Sequence, residues 1–295
     1  MRAYPLFIFL LPFLLHAQGT PKALLWRIQG PDHSRASYLL GTVHSRDARA
    51  FTHVADVLAV MDSCDVVVGE LDMDVFKNAD RSKLMGMLLP AGTDLDDLLS
   101  KRQYERVREA LEDKLGPMTG VFLRMKPFYL AAVLEELSQP KDSSVVLDQY
   151  LQQVAIARGK PVMGLERAEE QMAAADRIPL KDQARMLYAT VRHPSSREWD
   201  RMVTLYAEQD LDGLAGLLNK DENAASFKTP LLSDRNAVMA QRMDSLMHDG
   251  RTYLFAVGAG HLPDADGLIA LLREKGYRVG PIFAADRPKG VGVKR

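Results

Sequence analysis

A chain of 295 residues that is 47% hydrophobic and 26% charged is long enough to bury a core without covalent staples, and its single cysteine, Cys64, excludes an internal disulfide. The 38 basic and 39 acidic residues leave a formal charge of −1. That balance excludes the one-sided electrostatic footprint of a nucleic-acid or anionic-membrane binder.

The chain opens "MRAYPLFIFLLPFLLHAQG": an arginine, an apolar run from Leu6 to Leu15, and small residues around Ala17. The run is too short for a spanning helix, which needs roughly 20 residues. It predicts a signal peptide over 1–17, cleaved near Ala17–Gln18. The remainder, 18–295, is then expected to be a single secreted or periplasmic domain with no stable membrane span. Next, "ALLWRIQ" (23–29) and "SYLLGTV" (37–43) read as strands joined by a turn-rich segment. "THVADVLAVMD" (52–62) places Val54, Val57, Leu58 and Met61 on one helical face. Cys64 precedes the β-branched run "DVVVGELD" (65–72), a buried strand, and reads as a buried structural thiol. Residues 75–137 are predicted mostly helical, and "QYERVREALEDKL" ends at Gly116–Pro117.

The second half repeats the alternation. "LDQYLQQVAIARGK" is a helix and "PVMGLE" (161–166) a strand. Residues 168–220 are helical with breaks at Pro179 and Pro194, and 234–250 form a helix. "RTYLFAVGAGH" is a strand, "DADGLIALLREKG" a helix and "YRVGPIF" a last strand. Strands alternating with helices predict an α/β fold: a mixed central sheet with two related halves and helical insertions.

Each half has a strand running into Gly-x-x-His: "GTVH" ends at His44 and "GAGH" at His261. Each also has a strand running into a carboxylate, Glu70 after "VVVG" and Glu166 after "VMGL". In an open α/β sheet, groups at the carboxyl ends of strands converge on the ligand crevice. Two imidazoles and two carboxylates gathered there suit a divalent metal or general acid–base chemistry. A solvated acidic exit, "ELDMD", competes for Glu70, and a carboxylate favoured by a helix N-terminus competes for Glu166. Arg235 lies at the N-terminal end of a predicted buried stripe of Val238, Met239, Arg242 and Leu246. Its partner is expected to be an active-site carboxylate, a substrate carbonyl or a structural ion pair. His33, His53, His193 and His248 read as bystanders.

The segments "YLLGTVHS", "VVVGELD", "MKPFYLAAVL", "LDQYLQQVAIARGKPVMGLERAEEQ", "LLSDRNAVMAQRM" and "LFAVGAGHLPDADGLIALLREKGYRV" together resemble the TraB/GumN family, which includes the Tiki-type metalloproteases. They occur in the family's order and cover nearly all of the chain after its leader. The resemblance implies an active site at His44, Glu70, Arg235 and His261, and Tiki-type members imply Mn²⁺- or Co²⁺-dependent peptide cleavage. Unlike those members, this chain is expected to have no transmembrane anchor.

The resulting expectation is a metal-dependent hydrolase acting on a peptide or small-molecule substrate. His44, Glu70 and His261 would hold the metal or the reacting water, Arg235 would stabilise developing charge, and Glu166 would be a second carboxylate. Two alternatives use the same crevice: a non-catalytic protein that sequesters a peptide or haem-like ligand, and a metal-free esterase-type hydrolase.

Overall fold

The computed structural model describes residues 21–31, 35–73, 81–192, 196–219 and 224–283. The predicted signal peptide, His33 and the break at Pro194 lie outside the described residues. Six strands, β1 (Leu25–Gln29), β2 (Ser37–Thr42), β3 (Val66–Gly69), β4 (Val162–Gly164), β5 (Tyr253–Gly258) and β6 (Arg278–Pro281), form one sheet in the order β4-β3-β5-β2-β1-β6. β2, β3, β4 and β5 run parallel, and β1 is antiparallel to both β2 and β6. The sheet is therefore mixed. Each neighbouring couple β4-β3, β5-β2 and β1-β6 joins a strand of one half to a strand of the other.

The longer helices are α1 (Val54–Asp62), α2 (Lys101–Leu115), α3 (Pro127–Ser138), α4 (Leu147–Ala157), α5 (Ala168–Asp176), α6 (Leu180–Arg192), α7 (Ser196–Ala207), α8 (Leu211–Leu218), α9 (Asp234–Met247) and α10 (Leu268–Glu274). Among the described residues none is long and apolar enough to cross a membrane. Strand β5 sits inside the sheet, and its continuous apolar run is what a strand covered on both faces requires. Tyr253 and Phe255 stack at 5.4 Å, fully buried with Trp26. A second hydrophobic cluster, including Val107, Leu111, Leu130, Leu134 and Leu187, holds the insert helices α2, α3 and α6 together. Helix α2 stops where Gly116 adopts φ +52°, a conformation that favours glycine, with Pro117 after it. Cys64 is buried, its Sγ–H donates to Val60 O, and burial pushes the thiol up to about 12.

Two local expectations change. The buried stripe of α9 is Asn236, Met239, Ala240, Met243 and Met247, whereas Val238 is 43% exposed. The stripe is rotated because Asn236, a polar residue, occupies the buried face through hydrogen bonds described below. Arg242 is not part of it; it pairs with Glu170 and donates to Leu165 O. The strands are also shorter than their apolar runs, so Glu70 and Glu166 lie just beyond β3 and β4. His261 belongs to a 3₁₀ turn, Ala259–His261, that follows β5.

These shortened ends place the site. Thr42 pairs with Gly258, Gly69 with Ala256 and Gly69 with Gly164. Four parallel strands thus finish within about two residues of one another, and whatever follows each is delivered to the same edge. The turn after β3 depends on Gly69. A Cβ there would stand 2.3 Å from Gln152 Nε2 and 2.9 Å from the Leu71 carbonyl oxygen. The Gln152 side chain is fixed by accepting from Met73 N–H and donating to Leu71 O. Gly69→Ala is expected to destabilise the protein by about 1–3 kcal/mol, the usual cost of overpacking, read from urea denaturation.

Candidate functional site

Glu70 is the hub of the strand-end cluster. Gly258 N–H donates to its Oε1 at 2.6 Å, and Arg235 Nη2 donates to its Oε2 at 2.8 Å. Glycine at 258 lets that carboxylate approach closely, since a Cβ there would sit 3.0 Å from Glu70 Oε1 and push it back. Burial pushes the Glu70 carboxyl up, but the attraction of the His261 ring when it is protonated, the Arg235 guanidinium and the Gly258 N–H outweigh it and hold it below the usual carboxylate range. Glu166, with a side chain only 3% exposed, accepts from Arg235 Nη2 at 2.6 Å and from Nε at 3.1 Å. The sequence left Glu166 open between a helix terminus and the site. The structure puts its carboxylate on Arg235, with α5 starting two residues later. Gln171 Nε2 donates to both Glu70 Oε2 and Glu166 Oε2 at 3.2 Å.

Arg235 itself follows a single π-helical turn, Thr229–Ser233, and its Nη1 donates to Leu231 O at 2.9 Å. Its guanidinium is 14% exposed. The two carboxylates that it bridges leave this buried cluster one negative charge in excess.

His261 is 4% exposed and completes the cluster. Asn236 Nδ2 donates to Asp266 O at 2.8 Å, so Asn236 Oδ1 is the acceptor that faces His261 Nδ1 at 2.6 Å. That network puts the imidazole proton on Nδ1. Burial pushes the imidazole pKa down, outweighing the attraction of Glu70. The neutral ring then turns the lone pair of Nε2 toward Glu70 Oε1, 3.6 Å away. Two acceptors face each other across a gap too long for a hydrogen bond and suited to a cation between them.

His44 is held differently. Its side chain is 60% exposed, and its Nδ1 lies 3.4 Å from Asp148 Oδ2. Thr42 Oγ1 donates to Asp148 Oδ1 at 2.5 Å, which aims the carboxylate at the ring. Asp148 raises the His44 pKa. Among the described residues Nε2 is the ring nitrogen without a partner. All four expected residues, His44, Glu70, Arg235 and His261, line one cavity of about 680 Å³. A second cavity, of about 490 Å³, also reaches His44, Glu70 and Arg235.

The structure brings Glu70, Glu166, Arg235 and His261 into direct contact but keeps His44 apart from them. Among the described residues, only Asp94, Asp96 and Asp97 bring three ligand atoms within 4.8 Å of one another, and all three are exposed. His44, Glu70 and His261 do not form such a trio. His53, expected to be a bystander, points Nε2 at Ala207 O.

Sequence reasoning missed Asp148, Thr42 and Gln171. Asp148 is the second residue of α4 and reads as an ordinary acidic first turn, no different from Asp56 in α1. Gln171 carries no charge or spacing signal. Asn236 was legible only as a neighbour of Arg235.

Comparison with known proteins places the chain in a family. The model of the TraB/PrgY/gumN family matches residues 24–281. The chain is similar to "Metalloprotease TIKI2" of Xenopus tropicalis, 25% identical over 92% of this chain and 64% of that protein. It is also similar to "Metalloprotease TIKI1" of Danio rerio, 25% identical over 89% of this chain and 63% of the relative. "Uncharacterized protein YbaP" of Shigella flexneri is 25% identical over 81% of this chain and 89% of its own length. The chain therefore spans under two thirds of the length of the two metalloproteases. No solved structure matches.

Proposed function

The chain belongs to the TraB/PrgY/gumN family, and from that premise we propose that it is a metal-dependent hydrolase acting on peptides. The observation that carries this reading is the facing pair of acceptors, His261 Nε2 and Glu70 Oε1, set 3.6 Å apart in a buried cluster with one excess negative charge. One nitrogen and one carboxylate oxygen are a donor set that suits Mn²⁺, Co²⁺ or Zn²⁺. His261 and Glu70 would hold the ion, and His44, which lines the same cavity but stands apart from them, would have to move closer to add Nε2 as a third ligand. A divalent ion held there supplies Lewis acidity to a carbonyl and to a water beside it.

The remaining work falls to the chain's own side chains. Arg235 fixes both carboxylates. Its bonds to Glu70, Glu166 and Leu231 O use four of five N–H groups. One Nη1 hydrogen remains for developing negative charge on a substrate oxygen. Asn236 holds the tautomer of His261, and Asp148 holds that of His44. The apolar run from Leu6 to Leu15 supports export, so the protein at work is secreted or periplasmic. N-terminal sequencing of the mature protein is expected to begin near Gln18, and an intact Met1 would contradict export.

The test is a peptide library incubated with protein that has been stripped by a chelator and then supplied with Mn²⁺, Co²⁺ or Zn²⁺. Cleavage restored by one of these ions is the expected result. Binding of peptides without cleavage under any ion would replace the hydrolase with a sequestering protein. A further expected outcome concerns Asp148→Asn, which keeps the shape but removes the charge behind His44. Turnover should fall roughly 10–100-fold, the range for losing such an outer partner, with the midpoint of thermal unfolding little changed.

A further inference from the structure

The two large cavities meet at the charged cluster. Both reach Thr42, His44, Glu70, Leu231, Arg235 and Gly258, and from there they extend to different walls. One runs beneath Met87, Phe128, Tyr129, Ala132 and Met172. The other runs beneath Met202, Leu214, Leu217, Phe227 and Leu232. Their volumes, about 490 and 680 Å³, each fall in the range of a complete small-molecule site. A compact substrate would fill one and leave the other wet. The polar residues form a waist between two apolar chambers, and an occupant that uses both must be extended, apolar at its ends and polar in the middle.

Two polar residues of the Met87 chamber favour a peptide over an acyl chain. Tyr129 Oη has no hydrogen-bond partner among the described residues, Asp148 Oδ2 has the His44 ring at 3.4 Å, and both residues line the Met87 chamber. A buried polar group without a partner costs free energy. An acyl chain would offer neither residue a hydrogen bond. A peptide backbone brings an N–H for the carboxylate and an N–H or C=O for the hydroxyl at each residue.

We propose that the site takes an extended peptide with a large apolar side chain on each side of the bond placed at the waist, one in each chamber. The assignment deepens the hydrolase reading and rests on it for the identity of that bond. Extended backbone alternates its side chains, so residues flanking the bond can reach opposite walls. Specificity then comes from both flanks, and cleavage is internal to a chain rather than confined to an end.

The experiment uses quenched-fluorescence peptides with leucine or glycine at the two residues flanking the bond, in all four combinations, with the ion that supports cleavage. Non-hydrolysable versions are measured in parallel by fluorescence anisotropy. Replacing leucine by glycine on either flank is expected to lower kcat/KM roughly tenfold or more, the scale of apolar pocket discrimination. Filling one chamber with Ala132→Trp should abolish the preference on one flank, and filling the other with Leu217→Trp should abolish it on the opposite flank. Cleavage indifferent to both flanks, or both variants acting on the same flank, would overturn the two-chamber assignment and leave the hydrolase reading intact. Peptides bound with both flank preferences but never cleaved would uphold the assignment and defeat the hydrolase. A fluorescent acyl-chain amphiphile that binds by anisotropy, where no peptide does, would overturn both.

Discussion

Arg235→Met is expected to destabilise the protein by about 3–5 kcal/mol, the cost of removing one partner from a buried ion pair. The guanidinium bridges Glu70 and Glu166, and the Glu166 side chain is 3% exposed. Without the cation, the two carboxylates keep only the weaker Gln171 bonds in common. They must then protonate, draw in water or move apart. Urea denaturation of the wild type and the variant measures the loss. The double variant Arg235→Met/Glu166→Leu should recover part of it, because an apolar pair no longer leaves a charge stranded. A loss below about 1 kcal/mol would match an exposed ion pair and would show that the carboxylates are solvated. Arg235→Lys should preserve more stability than Arg235→Met, yet it lacks the planar fork that reaches both carboxylates and should lower turnover.

The second large effect is on activity. His44→Ala and His261→Ala are each expected to lower kcat/KM on the order of 10³-fold or more, as for groups that act as one catalytic unit. The double variant should be little worse than either. His261 is buried among Asn236, Gly258 and Glu70, whereas His44 is 60% exposed. His261→Ala should therefore also cost stability, and His44→Ala should not. Rate losses that multiply in the double variant would mean that the two imidazoles work independently.

The sequence carried the fold well because its periodicities are local. The apolar run of β5 reports directly that the strand is covered on both faces, and the alternation of strands and helices implies the α/β class. The convergence of Glu70, Glu166 and His261 was legible for a related reason. Short parallel strands end level, so the residue after each one is forced toward the same edge. The face of α9 was misjudged because hydropathy alone selects Val238 over Asn236. The burial of Asn236 depends on partners 25 and 30 residues away, His261 and Asp266. The Asp148 support of His44 was invisible on the same ground: α4 meets β2 across 106 residues of chain, and only the Thr42 hydroxyl and His44 ring give that carboxylate a meaning.

The central claim is that Glu70 and His261 face each other as a cation site. Titration calorimetry of Mn²⁺ into chelator-treated protein tests it without reference to any substrate. The wild type should show saturable binding. His261→Ala and Glu70→Gln should each lose it, while His53→Ala, whose ring contacts Ala207 O, should bind as the wild type does. Binding that survives unchanged in both His261→Ala and Glu70→Gln would contradict the account.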